Sequence, residues 1–172
     1  GGTYVASIAI SSSGAISTVI PTSAFDIWIG AYPSITDPAD KLSSADPDED
    51  GATNLEEFGF GGNPTDSSDN GIRLTQSVDA NGDNQGDISL TLEVRSGANF
   101  TASGNDLVAT IDDITYRIEG STDLSVWDSV VSPVSPDLGS GSPSTGYDFK
   151  TFRLNAGNGL TGKGFLRASV VK

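Results

Sequence analysis

The chain contains neither cysteine nor histidine. Without cysteine there is no disulfide framework and no thiolate to hold a metal. Without histidine the commonest general base and the usual zinc ligand are gone, and a serine nucleophile has no imidazole to activate it. Positive charge is scarce as well: 9 lysines and arginines stand against 23 aspartates and glutamates, giving a net charge of −14. Such a field repels nucleic acid and anionic lipid, and it attracts cations. No run of about twenty apolar residues is present, so no segment reads as a membrane-spanning helix, and no leader peptide is visible. Paired carboxylates can hydrolyse glycosides, but with 23 acids such pairs are unavoidable, and nothing else points to catalysis. What is left is 172 residues, enough for one domain or a small module joined to a larger one. Its abundant glycine (21 residues), serine and threonine, with little lysine, have an extracellular character.

The acids are concentrated in one place. Residues 46 to 57 read Asp46-Pro-Asp48-Glu-Asp50-Gly51-Ala52-Thr-Asn54-Leu-Glu-Glu57. Three carboxylates at a spacing of two, a glycine after the third, and a glutamate six residues beyond match an EF-hand calcium loop. Ca²⁺ takes six to eight oxygen ligands, and alternate residues of a tightly curled loop point their oxygens inward. The expected ligands are Asp46, Asp48, Asp50, the carbonyl of Ala52, Asn54 directly or through water, and both oxygens of Glu57. Gly51 supplies the sharp turn, because no Cβ opposes a positive φ. Carboxylates this close repel one another unless a cation lies between them, so the metal-free loop is expected to be disordered.

Around this loop the chain is expected to be mainly β, an antiparallel β-sandwich with a small helical EF-like calcium-loop insertion near the N-terminus. Three segments are expected: an N-terminal β-hairpin over 1–22, a short helix with the calcium loop over 23–70, and the sandwich over 71–172. Within residues 3–20, two apolar runs flank Ser11-Ser-Ser-Gly14. Ser23-Ala-Phe-Asp26 caps a helix carrying Phe25, Ile27, Trp28, Ile29 and Tyr32 that Pro33 ends. Pro33, Pro38 and Pro47 rule out an entering helix against the calcium loop. The exit helix spans about Asn54 to Phe60 and is stopped by Gly59, Gly61 and Gly62. Alternation at Ile88-Leu90-Leu92-Val94, Ile114-Tyr116-Ile118 and Leu166-Ala168-Val170 marks strands. Residues 79–87 and the GxGxxG at Gly157–Gly162 read as turns, since no helix follows the latter. Residues 131–146 read as a long exposed loop. Trp28 and Trp127 sit in apolar contexts and are expected in the core.

Phe25-Asp-Ile-Trp28, Ala45 to Phe58 and Gly62-Asn-Pro-Thr-Asp66 together resemble a segment common in large secreted proteins of planctomycetes and verrucomicrobia. Thr53 stands where that segment more usually has an apolar residue. Tyr116 to Trp127 resembles the β-rich C-terminal module that follows it there, and the acidic run also resembles dockerin and thrombospondin type 3 calcium repeats. The hairpin resembles a strand pair of type IV pilins, without their apolar N-terminal helix. The resemblance implies a bacterial extracellular or cell-surface location and a terminal, non-catalytic role. Three functions fit: a calcium-stabilised structural or adhesive module; a subunit of an extracellular filament assembled through β-strand contacts; and a carbohydrate-binding appendage of a secreted hydrolase. Calcium is the expected cofactor. Other copies of the chain or cell-surface and matrix components are the expected partners, with no nucleic acid and no membrane span. Two further acidic groups, Asn63/Asp66/Asp69 and Asp79/Asn81/Asp83/Asp87, are candidates for a second calcium site, although the latter reads better as a hairpin turn. Asn99-Phe-Thr101 is a glycosylation sequon.

Overall fold

A computed structural model describes residues 8–10, 16–18, 23–71, 73–78, 86–154 and 164–172. Two short strands, β1 (Ile8–Ile10) and β2 (Ile16–Thr18), pair antiparallel as a two-stranded sheet of their own. Two helices follow, α1 (Ala24–Gly30) and α2 (Asn54–Phe60), with a single 3₁₀ turn at Ala39–Lys41 between them. The rest is β: β3 (Arg73–Val78), β4 (Asp87–Arg95), β5 (Thr101–Ser103), β6 (Asp106–Ile111), β7 (Ile114–Ser121), β8 (Val131–Val134), β9 (Tyr147–Leu154) and β10 (Phe165–Val171). They form two four-stranded antiparallel sheets, ordered β3-β4-β9-β8 and β10-β7-β6-β5. The chain is a mainly β protein whose two sheets make a sandwich. No helix among the described residues is long and apolar enough to cross a membrane.

Period-two alternation builds the core. Leu90, Leu92 and Val94 on β4 and Phe152 on β9 face Leu107 and Ala109 on β6 and Ile114, Tyr116 and Ile118 on β7, in one buried cluster. That cluster continues into Phe25, Ile29, Ile35, Phe58 and Phe60, so the segment carrying the acidic loop and the sheets share a core. β4 also hides its other face, where Ser89, Thr91 and Glu93 are buried. The segment read as an exposed loop explains this. Residues 131–134 are a strand paired with β9, and the chain after it lies over the polar face of β4 and β9. There the Leu138 N–H donates to Thr151 Oγ1, Asp137 accepts from the Thr151 N–H, and the Ser144 N–H donates to Glu93 Oε1. A polar sheet face covered by backbone exchanges water for peptide hydrogen bonds, which a reading of composition alone misses.

Four other expectations change. The first helix ends at Gly30, so Tyr32 lies beyond it, although the Ser23/Asp26 capping box is present. Gly59 does not stop α2 but sits inside it, because a Cβ there would meet Val170 on β10 at 3.2 Å. Trp28 joins the core margin, packed on Phe58 at 5.5 Å between ring centres. Trp127 does not belong to the core: it lies half-exposed between β7 and β8, with the Arg167 guanidinium 4.0 Å from its ring centre. The hairpin agrees with its expected pairing where described. The turns at 79–85 and 157–162 lie outside the described residues.

Candidate metal centre

The acidic loop is shaped by its own carboxylates. The Gly51 N–H donates to Asp46 Oδ2 at 3.0 Å, the Asp50 N–H to Asp48 Oδ1 at 3.3 Å, and the Ala52 N–H to Asp50 Oδ1 at 2.7 Å. Each aspartate thus spends one oxygen curling the backbone. The other oxygen of each, Asp46 Oδ1, Asp48 Oδ2 and Asp50 Oδ2, is buried and has no hydrogen-bond partner. The three residues can each bring one oxygen within 4.8 Å of the others. Gly51 holds φ +92°, while the space where its Cβ would stand is open. Glycine is needed there for backbone conformation rather than for room.

The loop ends in α2, and the helix carries the deeper candidate ligands. Thr53 caps it: Thr53 Oγ1 accepts from the Glu56 N–H, and Glu56 Oε2 accepts from the Thr53 N–H at 2.8 Å. This capping box accounts for a polar residue where the resembling segment has an apolar one. Asn54 is fully buried; its Nδ2 donates to the carbonyls of Asp40 and Leu42, each at 2.8 Å, which leaves Oδ1 without a partner. Glu57 has 0% exposure, and neither of its carboxylate oxygens has a partner. Burial pushes the Glu57 carboxyl up to about 8, helped by the charges of Asp48, Asp50, Asp46 and Asp69. Burial likewise raises the Asp48 carboxyl, with Asp50 and Asp46 adding to it. Glu57 stands outside the close aspartate trio yet feels every member of it.

A buried acceptor without a donor costs free energy, more so when it is charged. Six such oxygens lie on Asp46, Asp48, Asp50, Asn54 and Glu57, and the three aspartates among them are close enough to one another to hold a metal ion. Ala52 is buried at the position where its carbonyl is expected to ligate. Compared with known proteins, the chain matches no family model, no curated protein and no solved structure.

The other candidates fare differently. Asn63 Oδ1 accepts from Thr65, and Asp66 Oδ1 accepts from Ser68, so both spend an oxygen on their own turn. Asp87 pairs with Arg153 at 3.2 Å, and Asp79, Asn81 and Asp83 lie outside the described residues. Glu93 Oε2, on β4 against Gly61, is a further buried oxygen without a partner that the sequence pattern did not single out. A cleft of about 370 Å³ beside the loop is lined by Ile35, Asp40, Pro47, Asp48 and Pro64 among others, with no aromatic face for a sugar to stack on.

The position of α2 connects this centre to the sandwich. A helix leaves its last carbonyls without intrahelical partners. Here the Tyr147 hydroxyl donates to the Phe58 carbonyl at 3.0 Å, the Tyr116 hydroxyl donates to the Gly59 carbonyl at 2.7 Å, and the Gly61 and Gly62 N–H groups donate to the Glu57 carbonyl. Arg95, at the end of β4, lies over the rings of Phe58 and Tyr147 and pairs with Asp112 at 2.8 Å. Both sheets therefore hold the helix that carries Glu57.

Proposed function

We propose that this protein is a calcium-binding, non-catalytic structural or adhesive module of a secreted or cell-surface protein, stabilised by the ion. The observation that carries this reading is the set of six buried oxygens without partners on Asp46, Asp48, Asp50, Asn54 and Glu57. An all-oxygen, carboxylate-rich set suits Ca²⁺, whose flexible coordination tolerates a loop; Mg²⁺ demands a tighter octahedron and gives up its waters reluctantly. The site's rigid attachment to the core gives the ion a structural role, because whatever orders the loop also fixes α2. Calorimetry on protein stripped with EDTA tests the reading. One Ca²⁺ per chain is expected to bind at submillimolar concentration, and Asp50→Ala to abolish it; no uptake below about 1 mM overturns the proposal.

The filament reading draws on one observation: β1 and β2 pair with each other and extend neither four-stranded sheet. A two-stranded hairpin is marginal in water by itself, and among the described residues no further strand pairs with the outer strands of either sheet. In this reading the hairpin pairs with the sheet of a second copy. Light scattering at high protein concentration in millimolar calcium is expected to show growing particles, and deletion of residues 1–20 to prevent them. A wild-type protein that stays monomeric ends this reading.

A further inference from the structure

We infer that residues 135–146 form a strap over the polar face of β4 and β9 that Glu93 latches to the end of α2, so that the strap closes when the cation centre is filled and loosens when it is empty. The trigger rests on the calcium reading above; the latch is a property of the fold and stands apart from it. The strap reads Ser-Pro-Asp137-Leu138-Gly139-Ser-Gly141-Ser-Pro-Ser144-Thr-Gly146, and Leu138 is its one large apolar side chain. It has little hydrophobic hold on the sheet and depends on hydrogen bonds. Beneath it Ser89, Thr91, Glu93 and Thr151 are buried.

The two ends of the strap are anchored differently. At the first, the Leu138 N–H donates to Thr151 Oγ1 and the Thr151 N–H donates to Asp137 Oδ1, both at 2.7 Å, so this end is tied to β9. Gly139 then lies on the Phe149 ring, which a Cβ there would enter. At the second end, the Ser144 N–H donates to Glu93 Oε1 at 2.9 Å, and the Ser144 carbonyl accepts from the Tyr147 N–H at 3.0 Å. Both of those partners also touch the end of α2. The Tyr147 hydroxyl donates to the Phe58 carbonyl at 3.0 Å. Glu93 rests against Gly61, whose N–H donates to the Glu57 carbonyl at 2.8 Å. A Cβ on Gly61 would stand 3.4 Å from Glu93 Cβ and Cδ, and closer still to Oε2. Glu93 has no exposure, and its Oε2 has no hydrogen-bond partner among the described residues. The side chain is therefore wedged between strap and helix rather than held by a charge partner. A shift of α2 moves the wall behind the Glu93 carboxylate, and with it the acceptor that holds Ser144. Gly139 and Gly141 lie between the two anchors, Gly141 at φ +86°, and let the chain bend there. Loosening the Ser144 end uncovers Phe149 and the bonded hydroxyls of Thr91 and Thr151.

The test is amide hydrogen exchange on the full chain, well below its melting temperature, in millimolar Ca²⁺ and in EDTA. The Leu138 and Ser144 amides are read against those of β7. In wild type, EDTA is expected to raise exchange at Ser144 about tenfold relative to β7, and at Leu138 by less, since a hydrogen bond to a charged acceptor is lost. Glu93→Ala is expected to raise Ser144 exchange about tenfold with calcium present and to leave little further response to EDTA. Glu93→Gln, which keeps an oxygen for the Ser144 N–H, should stay nearer wild type. Thr151→Val should free Leu138 while the response of Ser144 to EDTA persists. Should Glu93→Ala not fold, Tyr147→Phe, which removes only the hydroxyl bond to α2, is expected to shrink that response, and an undiminished response overturns the coupling. Equal Ser144 exchange in Glu93→Ala and wild type overturns the latch. A wild-type Ser144 that ignores EDTA, in protein that calorimetry shows to bind calcium, overturns the coupling and leaves the calcium reading intact. If no ion binds, the trigger falls with that reading, and Glu93→Ala still decides the latch.

Discussion

At the scale of single residues, Glu57 is the group on which the centre turns. Its carboxyl is raised to about 8 from an ordinary value of 4.5, first by burial and then by the surrounding aspartates. A raised acid holds a proton in the folded state that the unfolded state has already released between those pH values. Metal-free protein should therefore lose stability as pH rises from about 4.5 to 8. Calcium requires the ionised carboxylate, so its affinity should strengthen over the same range, because the ion displaces that proton. Calorimetric titrations at pH 5, 6.5 and 8 are expected to show tighter binding at each step, with close to one proton released per ion at pH 6.5 and about half of one at pH 8. In Glu57→Gln the metal-free protein should be steadier above pH 7 and the calcium affinity reduced. An affinity flat across pH 5–8 would show that Glu57 does not ligate the ion.

Among the elements, α2 is short, only seven residues, and an isolated helix of that length does not persist in water. Three features hold it: the Thr53/Glu56 capping box, the tyrosine hydroxyls on its last carbonyls, and the full burial of Phe58 and Phe60. Their contributions are separable. Thr53→Ala removes one cap and is expected to cost about 1 kcal/mol. Phe58→Ala removes a ring packed against Phe25, Trp28 and Arg95 and is expected to cost about 3–5 kcal/mol. Urea denaturation measures both. Because Glu57 rides on this helix, Phe58→Ala should also weaken calcium binding, although Phe58 carries no ligand atom. Unchanged affinity in a folded Phe58→Ala protein would separate the helix from the site.

For the molecule as a whole, the sequence pattern suggests that removing calcium melts residues around 45 to 66 and lowers the melting temperature. The shared core extends that expectation to the sheets. Phe25, Ile29, Phe58 and Phe60 belong to the same buried cluster as the strands of both sheets, and α2 touches β4 of one sheet and β10 of the other. Chelation should therefore lower the melting temperature of the sandwich itself in a single transition, with hydrogen exchange rising in β4 and β10 together with residues 45–66. At 100-fold excess of calcium over its dissociation constant, the stabilisation should be about 2.7 kcal/mol. A loop that loosens in EDTA while the sheets melt unchanged would disprove the coupling.

Several features of this protein were legible without coordinates because they depend on near neighbours in sequence. Alternation at 88–94, 114–118 and 166–170 follows from the two-residue period of a strand, and the span of α2 from its glycines and its link to the acidic loop. The curl of the acidic loop at Asp46, Asp48 and Asp50 is local as well, since each aspartate turns the chain on the N–H two or five residues ahead. Other features depended on residues far apart in the chain. Gly59 lies inside a helix because Val170 needs the room, and Glu93 is buried because the chain near Ser144 folds across it. Trp127 stays outside the core because β10 places Arg167 on its face rather than an apolar neighbour. The depth of Glu57, and with it the raised carboxyl, arises only when two sheets close around α2. Spacing sets which oxygens can converge; burial against distant strands decides that they have no water to turn to.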